Sequence, residues 1–200
     1  MDFRDFAYQG MKAIFGAYFY AFYNPRPVGN KNIPKPAILA SNHITYLDPL
    51  FIIAALHEKD PIHFVAMPFG AYDYIYRMTG QIIIGIRKEY FRKEYYRKVE
   101  EALNKGRYLG IFCEGERSFT GELGKFHDGA ASIALRTQVP IVPIYIHGAY
   151  DNGRKFPSPF RNVEVRFGSA IEPPKNMCGA IARRDLTRVV KEEIERLAKL

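Results

Sequence analysis

The sequence predicts a single α/β domain: a mainly parallel sheet flanked by helices, with an N-terminal amphipathic interfacial helix ahead of it. Three observations predict this. Short apolar runs rich in Ile and Val alternate with segments of helical periodicity, the pattern of strands joined by helical crossovers. No internal repeat breaks the alternation. The chain has 200 residues, enough for one ordinary domain with a substantial core.

Taken in order, residues 3–23 carry Phe3, Phe6, Met11, Ile14, Phe15, Tyr18, Phe19 and Phe22, largely at helical spacing. The apolar part, Ala13 to Tyr23, is too short to span a bilayer, and it lacks the aliphatic middle and cleavage site of a secretory leader. Phe and Tyr favour the membrane–water boundary, so residues 1–24 read as an interfacial helix. An amphipathic helix packed on the domain's own core is the plainer reading, and one helix can do both. The domain proper then spans 25–200.

Asn24 to Pro36, punctuated by Pro25, Pro27, Gly29, Pro34 and Pro36, reads as a connection. Pro36 to Ala40 is the first strand, and Pro49 to His57 a helix. His63 to Met67 reads as a strand, Ala71 to Met78 as a helix ending at Gly80, and Gln81 to Ile86 as a buried strand. Glu89 to Lys105 is a charged surface helix with Tyr95, Val99 and Leu103 at four-residue steps and Gly106 at its stop. Tyr108 to Cys113 is a buried strand, and Asp128 begins a helix that reaches Thr137. Val139 to Ile146 is a strand whose prolines argue for an edge position or an irregular start. Val163 to Phe167 alternates like a half-buried strand. Arg183 to Leu200 is a terminal helix with Leu186, Val189, Val190, Ile194 and Leu197 on one stripe.

Composition narrows the partners. The formal charge is +8, which suits nucleic acid, an anionic membrane surface or a phosphorylated substrate. No helix-turn-helix, zinc or RNP pattern supports nucleic acid. Aromatic residues make up 14% of the chain, all Phe and Tyr, so an anionic membrane fits the charge better. Cys113 and Cys178 have neither metal-ligand spacing nor a disulfide framework, so no metal site is expected.

The chemistry gathers in three loops, each behind an apolar strand. The first is Ser41-Asn42-His43-Ile44-Thr45-Tyr46-Leu47-Asp48. A neutral imidazole can take a proton from a hydroxyl near pH 7 if a carboxylate holds its other ring nitrogen, and five positions let Asp48 fold back onto His43. No Gly-x-Ser-x-Gly elbow supplies a nucleophile, so the hydroxyl would belong to the substrate. Alone, the pair is equally a hydrogen-bonded core histidine and an aspartate N-cap with proline at N1. The second loop carries Arg87, and the third Glu114, Gly115, Arg117 and Ser118. In a parallel sheet all three open on one edge, where ligands collect. Arginine forks match phosphate oxygens.

These blocks resemble a known family. Asn42, His43 and Asp48 match the NH-x4-D motif of the glycerolipid acyltransferases, best known from 1-acylglycerol-3-phosphate acyltransferases. Phe112-Cys113-Glu114-Gly115-Glu116-Arg117-Ser118 is similar to its F-P-E-G-T-R-S block, and Gly80 to Arg87 to its apolar strand ending in arginine. Val139-Pro140-Ile141-Val142-Pro143-Ile144 is similar to V-P-I-V-P-V, and Phe126-His127-Asp128-Gly129 to F-K-x-G. The resemblance covers roughly residues 28–170. Cys113, Glu116 and His127 depart from the pattern, where the family has proline, threonine and lysine.

The resemblance implies transfer of a fatty acyl group from an acyl thioester, acyl-CoA or acyl carrier protein, to the free hydroxyl of a lysophospholipid, 1-acylglycerol-3-phosphate first. Another lysophospholipid or lyso-ornithine lipid as acceptor, or a non-catalytic membrane lipid-binding protein, is the alternative. His43 and Asp48 are the implied catalytic pair, with Arg87, Glu114, Gly115, Arg117 and Ser118 on the substrate and no bound cofactor. Ile82, Ile84, Ile141, Val142 and Pro143 are candidate walls for the acyl chain; ordinary buried sheet is their plainer reading. The expected location is the cytoplasmic face of the membrane, peripheral or monotopic.

Overall fold

The computed structural model describes residues 21–30, 32–56, 60–66, 82–83, 89–175 and 179–200. Its strands are β1 (Arg26–Gly29), β2 (Ile38–Ser41), β3 (His63–Ala66), β4 (Ile82–Ile83), β5 (Leu109–Phe112), β6 (Ile141–His147) and β7 (Glu164–Phe167). Its helices are α1 (Asp48–Leu56), α2 (Glu89–Asn104), α3 (Gly129–Thr137) and α4 (Ala180–Ala198). The strands form one sheet in the order β1-β7-β6-β2-β5-β3-β4. Every pairing is parallel except β6 with β7. The fold is therefore mixed but mostly parallel α/β.

Period-two alternation splits the buried residues between two layers. Leu39, Val142, Ile144 and Ile146 pack with Phe51 and Ile52 of α1 on one face. Ile38, Ala40, Leu109, Ile111 and Ile141 pack with Val99 and Leu103 of α2, Ile133 of α3, and Leu186, Val190 and Ile194 of α4 on the other. The chain thus leaves β2 toward one face and its neighbour β5 toward the opposite face. A crevice opens where such neighbours diverge, beyond their carboxyl ends. Ser41 and Phe112 lie level there, so the loops carrying His43 and Glu114 emerge side by side.

Several expectations change. Arg26–Gly29, read as connection, is a strand pairing with β7. It holds Pro27 because it ends the strand order, where a missing N–H costs no ladder bond. The proline-rich β6 is not an edge strand; it lies between β7 and β2. Its start is irregular, however. Ile141 bridges Ile171 and Ile144 pairs with Phe167, so three steps on β6 face four on the partner, a bulge-like slip. Pro143 falls within this stretch, where Gly168 N–H donates to its carbonyl at 2.9 Å and the ladder does not need the proline's own donor. α4 begins at Ala180, three residues early, and Val189, read as part of its core stripe, is 38% exposed. Ile82–Ile83, within the strand expected at 81–86, is a strand and pairs with β3. The expected helix at 71–78 lies outside the described residues, as do residues 1–20 of the one expected at 1–24, Ile84 and Arg87.

Candidate active site

The site begins where β2 stops. Asn42 is buried, and its side-chain amide takes a peptide's place beside β6: Oδ1 accepts Ile146 N–H at 2.8 Å and Nδ2 donates to Ile146 O at 3.2 Å. This satisfies a buried backbone pair beyond the reach of β2 and fixes where the loop starts.

The next five residues close on Asp48, which is fully buried. Its Oδ2 accepts His43 Nδ1 at 2.7 Å, Ile44 N–H at 2.6 Å and Thr45 N–H at 2.9 Å; its Oδ1 accepts the Thr45 hydroxyl at 2.7 Å. Asp48 does begin α1 with Pro49 behind it. Its carboxylate nevertheless faces back to the loop, so the capping position serves the histidine. A carboxylate only accepts, so Nδ1 of the neutral ring carries the proton and Nε2 presents a lone pair.

The imidazole is also held through its face. It stacks on Phe112 at 4.1 Å between centroids and 18° between planes, and Phe112 stacks in turn on buried Phe64 at 5.9 Å and 14°. Phe64 lies over Gly110, its partner in the β3–β5 register, where a Cβ would come within 2.3 Å of the ring. A glycine in β5 makes room for the column that ends in the catalytic candidate.

The other expected residues have specific places. Glu114 is buried; Oε1 accepts His43 N–H at 3.1 Å and Oε2 accepts Gly124 N–H at 2.8 Å. Burial pushes its carboxyl above the ordinary 4.5, partly offset by those two N–H donors. Glu114 thus ties the β2 loop to the segment after β5. Ser118 N–H closes the circuit on His43 O at 2.8 Å, while the Ser118 hydroxyl donates to Glu122 O and accepts Gly121 N–H within its own turn. Gly115 turns the chain with φ +72°, and a Cβ there would meet the His127 ring at 3.1 Å.

Arg117 is buried between the rings of Phe119 and Tyr46, 4.4 and 5.6 Å from its guanidinium carbon. Nη1 donates to the carbonyls of Ile44, Gly153 and Arg154 at 3.0–3.3 Å. Its Nε and Nη2 make no hydrogen bond among the described residues. Glu116, an extra carboxylate beside it in sequence, is exposed and makes no ion pair among the described residues.

Ile141 and Val142 do not line a groove: each is at most 1% exposed and they fill opposite core layers, and Pro143 after them is buried too. Of Ile82 the structure gives the strand alone. Burial pushes the Cys113 thiol up to about 12, an inert core thiol. Among the described residues no His, Cys, Asp and Glu cluster could hold a metal ion. A cleft of about 590 Å³ opens beside Gly124, between Leu123–Phe126 and one stripe of α4, Arg184, Thr187, Arg188 and Lys191.

Thr45 and Gly124 hold the site without having been singled out from the sequence, and Asn42 and Phe112 stood there only as members of motifs, with no role given. A threonine three residues before the aspartate is a readable signal for a closed loop. Nothing local marks Gly124 or the stacking role of Phe112.

A parallel sheet, a histidine oriented by a buried carboxylate at its rim and a glycine-turned acidic loop beside it define a class, and comparison with known proteins agrees. The family model described as Acyltransferase matches residues 25–147, so the chain belongs to that family. Among its relatives is the probable 1-acyl-sn-glycerol-3-phosphate acyltransferase of Mycoplasma genitalium, 30% identical over 129 residues, which are 61% of this chain and 48% of that protein. The 1-acyl-sn-glycerol-3-phosphate acyltransferase of Borreliella burgdorferi is 30% identical over 130 residues, 60% of this chain and 49% of that one. The chain spans about half the length of these curated relatives. The crystal structure of the 1-acyl-sn-glycerophosphate (LPA) acyltransferase PlsC from Thermotoga maritima shares the fold, with TM-score 0.70 and 24% identity over 97% of this chain and 80% of that one.

Proposed function

We propose that this acyltransferase moves a fatty acyl group from an acyl thioester to the free hydroxyl of a lysophospholipid, 1-acylglycerol-3-phosphate first. The observation that carries the reading is His43, held by Asp48 through Nδ1 at 2.7 Å and by Phe112 through its face. The names of the relatives favour lysophosphatidate over another lysophospholipid as acceptor.

His43 Nε2 removes the acceptor's hydroxyl proton as the oxygen attacks the thioester carbonyl, and Asp48 steadies the imidazolium that forms. The tetrahedral oxyanion collapses, the C–S bond breaks, and the leaving thiolate takes the proton from His43. The products are an ester and a free thiol, with no acyl-enzyme between. Most loop amides are already bonded. Those of Glu116 and Arg117 make no hydrogen bond among the described residues, and beside the left-handed Gly115 they are the candidates to stabilise the oxyanion. Arg87 is proposed to hold the acceptor phosphate, together with the Nε and Nη2 edge of Arg117. The donor is acyl-CoA or acyl carrier protein, both polyanionic, and the cationic stripe beside Gly124 is proposed to receive it. The chain would act at the cytoplasmic face of an anionic membrane. No described helix is long and apolar enough to cross a membrane.

The test is thiol release and ester formation with lysophosphatidate and each donor. General base catalysis is worth ~10²–10⁴-fold, so His43→Ala should lose about that much turnover while its thermal midpoint stays near that of the parent. A variant that keeps its rate would overturn the mechanism.

A further inference from the structure

We propose that the loops 117–121 and 151–161 form a second membrane-contacting surface of this chain, one that seats the rim around His43 on a bilayer with anionic headgroups. It rests on the acyltransferase reading for its purpose only; the surface itself stands on exposure, backbone strain and charge.

Three phenylalanines in these loops face solvent: Phe119 is 67%, Phe156 60% and Phe160 76% exposed. Phe119 and Phe156 belong to one assembly, and Phe160 follows on the same loop. Arg117 is stacked between Phe119 and Tyr46, Tyr46 lies 5.8 Å from the Phe156 ring, and Tyr46 N–H donates to Lys155 O at 3.0 Å. Tyr150 OH donates to Phe119 O at 3.3 Å. Tyr46 is three residues from His43, so the patch reaches the rim of the site. Scattered exposed apolar residues are ordinary, but a cluster of large aromatics around one mouth marks an interaction site.

Hydrogen bonds hold the loop's backbone: Asp151 accepts Ser158 N–H at 2.8 Å and the Ser158 hydroxyl at 2.7 Å, and Arg161 donates to Gly148 O and Tyr150 O. Phe160, the most exposed of the three, also has φ +63°, a left-handed backbone that a bulky side chain disfavours. Asn or Gly would sit there with less strain and expose less apolar surface. A residue that carries both penalties points to work outside the folded core.

Charge and continuity choose the occupant. Arg154 and Lys155 are exposed beside Phe156, the Lys155 ammonium lying 6.0 Å from the Tyr46 ring, and the chain carries +8 overall. Phenylalanines that enter the headgroup boundary, flanked by cations that meet anionic headgroups, are the interfacial pattern. The Phe160 ring also rests on Phe22 at 5.4 Å, which joins the patch to the segment whose sequence reads as an interfacial helix.

The full chain is tested by co-sedimentation with phosphatidylcholine vesicles containing one third phosphatidylglycerol. Phe156→Ser with Phe160→Asn should weaken binding by ~10-fold or more, given the apolar surface lost from the interface. Its thermal midpoint should not fall, because Asn tolerates the left-handed backbone. Ile181→Ser, equally exposed at 70% but on α4, should bind as the parent does. The chain has no tryptophan, so Phe156→Trp gives a single reporter that does not depend on the double variant folding. Its emission should shift to the blue with vesicles and be quenched by brominated lipid. Parent-like binding by the double variant, or an indole emission from the Phe156→Trp chain that is indifferent to vesicles, overturns the proposal. Neither measurement uses turnover, so a chain that binds through this face yet transfers no acyl group would sink the proposed function and leave the surface standing.

Discussion

Glu114 shows how a site residue can be legible while its partners are not. Its position after an apolar strand marks it, and the resemblance places it on the substrate, shaping its loop. The structure commits both oxygens to backbone N–H groups, of His43 and of Gly124. What the carboxylate does, among the described residues, is join two loops. Its burial has a measurable consequence. Because the folded chain resists ionising Glu114, its pKa lies above the ordinary 4.5. Between that value and its folded pKa the native state holds a proton that the unfolded chain has lost. The stability this group contributes is thus fully present below pH 4.5 and lost as pH rises through the folded pKa. Surface acids such as Asp60, lowered by its hydrogen bond from Lys35, slope the other way. Carboxyl titration by NMR should give a Glu114 midpoint above 4.5; a midpoint at or below it contradicts the burial argument. Asp48 is the converse case. The N-cap reading came from Pro49 and the apolar run behind it, the partner reading from its spacing to His43; its oxygens bond His43, Ile44 and Thr45, so the second reading holds.

At the scale of elements, the strands that carry the site were readable because each is a short apolar run. β2, β5 and the body of β6 differ from the expected spans only at their ends. Proline reports a missing N–H, and whether that matters depends on the partner opposite: the prolines hid β1, which uses the sheet edge, whereas in β6 they did announce an irregular start, though not its central place. Groups that meet only in space were invisible too, above all the column of Phe64, Phe112 and His43 over Gly110. That column makes Gly110→Ala a sharp test. The new methyl would lie 2.3 Å from a ring that is 1% exposed and has nowhere to withdraw. Overpacking of this kind costs ~1–3 kcal/mol, or about 2–4 °C of midpoint per kcal/mol at this chain length. Turnover should fall further than the loss of folded protein explains, since the ring behind His43 must move. A variant that melts and turns over like the parent would show that the column does not position the imidazole.

The whole molecule is organised by its +8 charge and by what converges on the rim. Tyr46 and Arg117 connect the site to the exposed aromatic loops, and Gly124 connects it to the cationic cleft. Helical spacing alone places Arg184, Arg188 and Lys191 on one stripe of α4, but only the fold sets that stripe against Lys125. Arg188 and Lys191 are answered by Glu192 and Glu195 at i+4, exposed pairs that a stronger anion readily displaces. Arg184 and Lys125 have no ion-pair partner among the described residues. Gathering like charges is unfavourable without a counterion, and an acyl donor on a polyanionic carrier supplies one. Arg184→Glu with Arg188→Glu should therefore raise KM for the donor by ~10-fold at low salt, the difference shrinking as ionic strength shortens the Debye length. KM for the lysophospholipid should hold, and the melting midpoint should fall by only a few degrees, because neither guanidinium is buried and the lost Arg188–Glu192 pair is exposed. A short acyl thioester without phosphates should be used equally by variant and parent. If the donor KM does not move, the stripe is a solvated helix face and the carrier docks elsewhere.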